Sequence, residues 1–538
     1  MTRLSTVAQS LSLFAFSLFI FTIGISHTEV VSFDSRFYVF AESMWRHGFS
    51  WFPMTYGQSY PDYPVTSTLF IYLTSLVFGG LSKFTAVLPS AIAASFVVVY
   101  TKKIGELYHE HLGLAAVGLL FLTLAFMKSA RAISLDMYPL LAATACFYHV
   151  ARSRLLNQKT SACVLAAWFI FGFVMRGPVG LVIPAGVVSM FHLINRDVKR
   201  FFMDGLNAFF WLIVGTSALL GLAYHVGGLP FAMDVSRMEV VGRIDNYFLP
   251  YTFYFTDSFG SYALAYPLAV LVFASLVFAS LKNKAIKWPH AEAVWQWAAW
   301  ALVILIGLSL PGDKKVRYIL SITPAIALMA AYPLMIESQS VTLTRLRGLF
   351  GFIFAFLPLF FMIGLFKVMI ALPKTDLTVN IPYWPLLFVL FVLQVVSLKI
   401  FFFEKKESSR GLKVILLAAL SFIAVNLAII EPIELNIDSA KVFVNEIEAA
   451  RAAKQAALVF YKERPDGLPI KYLVNMDRDD DPVFVETAAA LMKVKNPAII
   501  VSSKAYYTAL TKAQKVAFRV ISSGKIGHVP VVVFTPVK

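Results

Sequence analysis

The chain has 538 residues, 59% of them hydrophobic and 14% charged, with 49 phenylalanines and a net charge of +16. Globular domains run at about 45–50% apolar and about 25% charged residues, so a water-soluble surface cannot be built over this length, and the hydrophobicity excludes disorder. Lipid must be the solvent for most of the surface, and 47 basic against 31 acidic residues must be distributed around it. The two cysteines, Cys146 and Cys163, sit inside apolar runs and give no disulfide framework.

Arg3 precedes an apolar run from Leu11 to Ile25, and no small-residue cleavage site follows it; this reads as an uncleaved first transmembrane helix. Runs long enough to span a bilayer recur at about 11–29, 84–101, 112–128, 137–151, 161–175, 178–194, 205–224, 261–281, 292–310, 318–336, 349–371, 385–403 and 412–430, which makes 13 candidate spans. The apolar stretch 66–79 is placed at the outer interface instead. With the N-terminus inside, this choice makes every inner loop basic: Lys102-Lys103, Arg152/Arg154/Lys159, Arg196/Lys199/Arg200, Lys282/Lys284/Lys287, Arg345/Arg347 and Lys405/Lys406/Arg410/Lys413. Counting 66–79 as a span would put those clusters outside.

Two outer segments exceed simple turns. Residues 30–83 are rich in aromatics with interspersed charge, the pattern of helices lying at the interface. Residues 225–260, with His225, Asp234, Arg237, Glu239, Arg243 and Asp245, read as a long functional loop. After Ile430 charges appear throughout. Ser439–Ala457 has helical periodicity, Ala456–Tyr461 and Ile470–Val474 read as strands, Pro482–Met492 as a helix, and Ala498–Val501 and Val529–Phe534 as strands. The organisation is therefore a polytopic transmembrane domain over 1–430, including the outer loop 30–83, and a soluble α/β domain over 431–538 on the outer side.

Ionisable residues at the ends of spans are functional candidates. Asp34 follows the first span; Arg131 and Asp136 lie between the third and fourth; Arg176 separates the fifth and sixth; Lys314, Lys315, Arg317 and Tyr318 separate the ninth and tenth. All these loops face one side. Arg and Lys together clamp phosphate, and separate carboxylates position or deprotonate a nucleophile. Plainer readings stand beside these: a solvated Asp34, a structural Arg131–Asp136 ion pair, an Arg176 that snorkels, a headgroup patch over Lys314–Arg317. Zinc-ligand spacing is absent, and Asp479-Asp480-Asp481 lacks the Gly and distal Glu of a calcium loop.

In order and placement these motifs resemble the lipid A aminoarabinose transferase family, related to protein O-mannosyltransferases, of the GT-C fold. Asp34-Ser-Arg-Phe-Tyr38 is similar to the family's D-E-x-R-Y, with Phe37 where the family has Arg and Arg36 one residue early. Asp62-Tyr63-Pro64 stands for E-K-P, Arg131–Met137 followed by Tyr138-Pro139 for R-x(3)-L-D-M-P, Arg176-Gly177-Pro178 for K-G-P, and Lys314–Ala325 for K-x-x-x-Y-I-L-P-x-x-P-A. The resemblance implies a GT-C architecture of about 13 transmembrane helices with an outer C-terminal domain. It implies an inverting glycosyltransferase that moves a sugar from undecaprenyl phosphate, or another polyprenyl phosphate, to lipid A or another envelope glycan or protein. It further implies a bacterial inner-membrane location, with the N-terminus cytoplasmic and the C-terminal domain periplasmic. Asp34 and Asp136 would be catalytic; Arg131, Arg176, Lys314, Lys315, Arg317 and Tyr318 would hold the donor phosphate; Arg36, Tyr38, Asp62 and Tyr63 would contact acceptor or sugar. A divalent metal is left open. Membrane lipid is a partner and nucleic acid is not. A transporter or flippase of a lipid-linked sugar is the alternative, although such proteins place charged sites near the midplane.

Overall fold

The computed structural model describes residues 3–241, 249–281, 288–338, 340–375, 377–476 and 481–537. The inner-loop lysines 282, 284 and 287, the loop residues Arg243 and Asp245, and Asp479-Asp480 lie outside the described residues.

The first half of the helical region runs α1 (Arg3–Thr22), α2 (Asp34–His47), the hairpin β1 (Met54–Thr55) and β2 (Gln58–Ser59), α3 (Thr66–Val77), α4 (Lys83–Glu106), α5 (Leu112–Leu122), α6 (Leu124–Ala130), α7 (Met137–Leu155), α8 (Ala162–Arg176), α9 (Pro178–Ile194) and α10 (Val198–Ser236). The second half runs α11 (Phe253–Thr256), α12 (Ala265–Leu281), α13 (Ala291–Ser309), α14 (Thr323–Met335), α15 (Val341–Ala371), α16 (Tyr383–Phe403), α17 (Glu407–Val425) and α18 (Glu431–Asp438). Among the described residues, eight segments are long and apolar enough to cross a bilayer, and the pair α5–α6, bent by 80°, is a ninth. Shorter apolar helices are α3, α8, α9 and α12. Each of the 13 apolar stretches read from the sequence falls on a helix.

Packing distinguishes centre from periphery. The segment Val316–Met335 is almost wholly buried, and α4 nearly so, whereas α10 and α16 are mostly exposed. The exposed side chains of α10 and α16 include Phe202, Phe209, Phe210, Phe388, Phe391 and Phe402. A helix hydrophobic on its outer surface as well as its inner one has lipid as its outer solvent. The chain is a multi-pass membrane protein. The helix α3 has 12 residues, about 18 Å, too short for a bilayer core of about 30 Å. It exposes Leu73, Leu76 and Val77 while packing on α2 and α4.

Local chemistry sets the ends nearest the charged residues. Ser82 and Thr85 form a capping box at the start of α4, satisfying two of its orphan donors. The helix α2 buries Phe37, Phe40, Ala41 and Met44, spaced for one face, and carries Asp34 in its first turn and Arg46 and His47 in its last, which suits the helix dipole. The expected loop over 225–260 is instead helical as far as Val241, because α10 continues past a kink where Gly227 and Gly228 leave helical geometry and runs into a π-helical turn over Arg237–Val241.

The C-terminal unit adds α19 (Lys441–Lys454), β3 (Ala457–Tyr461), α20 (Leu468–Leu473), β4 (Val483–Val485), α21 (Ala488–Leu491), β5 (Ala498–Ser503), α22 (Lys504–Thr508), α23 (Lys512–Val516), β6 (Phe518–Ile526) and β7 (Val529–Pro536). Its sheet has the order β4-β3-β5-β7-β6, parallel through β4, β3 and β5 and antiparallel beyond. Alternate residues feed two cores: Leu458 and Phe460 face one, Val459 and Tyr461 the other. Two sequence expectations are corrected here. Residues 470–474 belong to α20 and its end, because Gly467 and Pro469 start a helix whose Ile470 and Tyr472 are buried. Residues 483–485 form a strand, drawn into parallel pairing with β3, and only 488–491 are helical.

The helices α8 and α9 form a hairpin closed at Gly177, whose φ of 68° favours glycine. Their backbones touch at Gly172 and Gly180: a Cβ on Gly180 would lie 1.9 Å from the Gly172 carbonyl oxygen, and one on Gly172 2.1 Å from that of Gly180. Overpacking there forces the two helices apart. Gly180→Ala is expected to destabilise the protein by about 2 kcal/mol, read as a lower thermal midpoint in detergent.

Candidate active site

Arg176 is the last residue of α8, so the tight hairpin carries its guanidinium to one end of the helix bundle. Asp136 precedes α7 at the same end. Arg317 lies in the 3₁₀ turn Val316–Ile322 that leads into α14. These three meet. One oxygen of Asp136 lies 3.4 Å from Nε of Arg176 and the other 3.1 Å from Nε of Arg317. Arg176 is 2% exposed, while Arg317 keeps a quarter of its side chain open. One carboxylate bridges two guanidiniums, and in a poorly hydrated place such a bridge is strongly felt.

Arg176 has aromatic and acidic neighbours on its other sides. Its guanidinium lies 4.9 Å from the ring centre of Tyr63. Asp62, which is buried, and Glu239 add negative charge nearby. Glu239 Oε1 accepts a 2.8 Å hydrogen bond from the backbone N–H of Tyr63. Gly177 has to be glycine for this contact as well, since a Cβ there would stand 2.8 Å from Glu239 Oε2. Nη1 of Arg176 has no hydrogen-bond partner among the described residues. It borders a small cavity lined by Asp136, Val179, Leu308 and Tyr318. The Tyr318 hydroxyl donates to Asp313 at 3.2 Å.

Arg317 is held flat by Phe33, whose ring centre lies 3.6 Å from the guanidinium carbon. A cavity of about 300 Å³ opens beside it, lined by Lys128, Lys315, Arg317, Ser129 and Ser261, with Leu124 completing an apolar edge. Among the described residues no carboxylate lines it. Lys315 is half exposed, with Asp313 at 3.6 Å. Burial, with Arg317 and Arg36 adding repulsion, pushes its ammonium below the usual lysine range.

Asp34 begins α2, next to Phe33, and feels both Arg317 and Lys83. Burial raises its carboxyl to about 6, against the opposing pull of Lys83, the Ile133 N–H that donates to it, and Arg317. It is thus ionised at neutral pH and a stronger base than an exposed aspartate.

Other sequence candidates are placed elsewhere. Arg131 donates to both oxygens of Glu431, at 2.7 and 3.1 Å, and to the carbonyls of Ile20 and Ile23 at the end of α1. It braces α1 and α18 rather than pairing with Asp136. Lys314 is buried and donates to the carbonyls of Leu249 and Pro311 at 3.0 and 2.7 Å, which closes its own loop. Arg36 reaches the C-terminal unit, donating to the Asp466 carbonyl at 2.6 Å. Tyr56 does the same to Pro465 at 2.6 Å. Tyr38 is half-buried on α2 against the helical core. The structure therefore brings together Asp34, Asp136, Arg176, Lys315, Arg317, Tyr318, Asp62 and Tyr63, and adds Glu239, Lys83, Lys128 and Phe33. Glu239 carried one sequence signal, a single acid inside the apolar run Met238–Val241. Among the described residues no three His, Cys, Asp or Glu side chains converge as a metal ion would require, and Asp136 already faces two cations.

No family model matches the sequence, and neither does any curated protein. Solved structures do. The crystal structure of ArnT from Cupriavidus metallidurans in the apo state matches at 15% identity, covering 98% of both chains with a TM-score of 0.66. The same protein bound to undecaprenyl phosphate matches at 16% identity, again over 98% of both chains, with a TM-score of 0.69. The archaeal oligosaccharyltransferase AglB from Archaeoglobus fulgidus, in complex with an inhibitory peptide and a dolichol-phosphate, matches at 10% identity over 92% of this chain and 69% of that one, with a TM-score of 0.50. At these identities the likeness establishes the fold: the chain has the GT-C architecture of ArnT and AglB, with a small C-terminal sheet unit.

The bridged carboxylate gives a direct test of the site. Asp136→Asn removes the carboxylate shared by two arginines, one of them buried. The expected cost is about 3 kcal/mol of stability, measured by thermal unfolding of the purified protein.

Proposed function

We propose that the protein is an inverting glycosyltransferase that takes its sugar from a polyprenyl phosphate, of the undecaprenyl type, and passes it to an envelope acceptor such as lipid A. The observation that carries this reading is the cavity beside Lys315 and Arg317, set against Asp34, in a fold shared with an undecaprenyl phosphate-bound ArnT. The chain would lie in a bacterial inner membrane, with the N-terminus cytoplasmic and the sheet unit periplasmic, as the basic loops at the opposite end of the helices imply.

Arg317 and Lys315 would receive the donor phosphate. Charge grows on the phosphate oxygen as the bond to the anomeric carbon breaks, and fixed cations stabilise that charge more than they stabilise the ground state. Asp136 orients Arg317 and, through Arg176, ties it to the α8–α9 hairpin. Arg176 is thereby a positioning residue, and the phosphate contacts first read for Arg131 and Lys314 are not part of the proposal. The apolar Leu124 edge suits the lipid end of the donor. Asp34 would take the proton of the attacking acceptor from the face opposite the leaving phosphate. A transporter would need charged groups near the midplane; here they gather at one end of the helices.

Asp34 must be ionised to act as a base, and its carboxyl protonates below about 6. Transfer is therefore expected to fall as pH drops through about 6, and Asp34→Asn to lower it at least about a hundredfold while removing that limb of the profile. The assay is release of free undecaprenyl phosphate from its sugar conjugate, with a glycosylated acceptor as the second product. Wild-type transfer by Asp34→Asn removes the base. Arg317→Ala should weaken binding of undecaprenyl phosphate itself about tenfold, with a flatter salt dependence, as measured by native mass spectrometry or fluorescence titration.

A further inference from the structure

Asp34 also lines a second cavity, of about 270 Å³, which shares Phe33 and Lys128 with the surroundings of the first. The two differ in charge. Three cations and four carboxylates line the second cavity. Those cations are engaged by the fold. Arg131 is held by Glu431 and the end of α1, and Lys128 pairs with Glu434. Lys83 donates to the Glu29 carbonyl at 2.6 Å. A phosphate entering here would meet paired cations and a surplus of acid.

What the cavity offers is hydrogen-bond acceptors. Asp34 is one. Asn426 is another: it is 2% exposed, it lines the cavity, and its Oδ1 has no partner among the described residues. A buried amide oxygen without a partner is unfavourable, and a ligand donor would relieve it. Asn426 also begins the π-helical turn Asn426–Ile430 between α17 and α18. Such bulges disturb the regular helix ladder and are frequent at functional sites. Here Asn426 and Asp34 line the same cavity from different helices.

We propose that this second cavity is the acceptor site, and that the acceptor group is a neutral hydroxyl of a glycan rather than a phosphate. The proposal rests on the transferase reading above. The hydroxyl donates to Asp34 while neighbouring hydroxyls donate to Asn426. Its oxygen then forms a bond to the anomeric carbon; the bond from that carbon to the phosphate oxygen breaks, and its electron pair leaves with the polyprenyl phosphate at Arg317 and Lys315. The hydroxyl proton ends on the Asp34 carboxylate. A phosphate acceptor, already ionised, would need no such base. The raised Asp34 carboxyl fits the need for one.

The test uses membranes from a deletion strain of the native host, reconstituted with the purified full-length protein and tritiated polyprenyl-phosphate sugars extracted from that host. The expected product keeps its label through mild acid, because a glycosidic bond to a hydroxyl survives conditions that split a glycosyl phosphate. Asn426→Leu is expected to raise the apparent acceptor KM about tenfold, the scale of one buried hydrogen bond, with undecaprenyl phosphate binding unchanged; Asn426→Gln, which keeps an amide oxygen and adds no charge, should bring it back towards the wild-type value. Label released by mild acid overturns the hydroxyl assignment. An acceptor KM unmoved in Asn426→Leu overturns the cavity assignment, and the linkage assay needs no variant should that one fail to fold. If no label moves from the donor at all, the transferase reading fails and this proposal falls with it.

Discussion

The Asp136 carboxylate, gripped by Arg176 on one side and Arg317 on the other, is the constraint on which the rest of this site depends. Two guanidiniums at the end of an apolar helix bundle repel each other and resist dehydration. One shared carboxylate makes their approach tolerable without cancelling their charge. The remaining positive potential is held on rigid elements: the α8–α9 hairpin, closed at Gly172 and Gly180, and the turn leading into the buried α14. A site whose charges are fixed in place needs little rearrangement when an anion arrives.

Around that fixed point the charged groups sort by sign. Cations with open faces gather beside Arg317, while carboxylates and carbonyls occupy those on the far side of Asp34. Asp34 belongs to both regions. Burial makes it a better base, and Arg317, Lys83 and the Ile133 N–H keep it ionised at neutral pH. The sheet unit contributes through contacts rather than through the reacting groups. Asp466 and Pro465 hold Arg36 and Tyr56, and Ser439 donates to Glu29 at 2.6 Å, so the outer segment on either side of Asp34 is tied to the sheet unit and its lead-in at several points.

Much of this was legible in the chain. Every apolar run named from the sequence is helical, since a bilayer demands long uninterrupted hydrophobic stretches and that demand is written locally. The stretch 66–79 was set apart from the spans by loop charge, since counting it would put the basic loops outside, and the structure gives it a helix of only 12 residues. The small C-terminal unit was read less well. Residues 470–474 and 483–485 exchanged identity because short apolar segments have no period of their own, and strand pairing with β3 decided one of them. Asp34, Asp136, Arg176 and Arg317 stood out as charges beside apolar spans. Glu239 was named only among the charges of the 225–260 segment, and Asn426 not at all, because a lone polar residue acquires meaning only from what another helix brings to it.

The sequence by itself determined that lipid is the solvent, which apolar runs form membrane helices and which loops are basic, since these follow from composition and local patterning. Only the tertiary structure decided which cations remain available. Arg131, Lys314 and Arg36 look equivalent to Arg317 in one dimension. In three they are consumed by Glu431, by the Leu249 and Pro311 carbonyls and by Asp466, because a buried or confined charge takes the nearest partner the fold provides. The +16 surplus could be counted from the chain, but the few cations able to meet an anion could be identified only once their partners were in place.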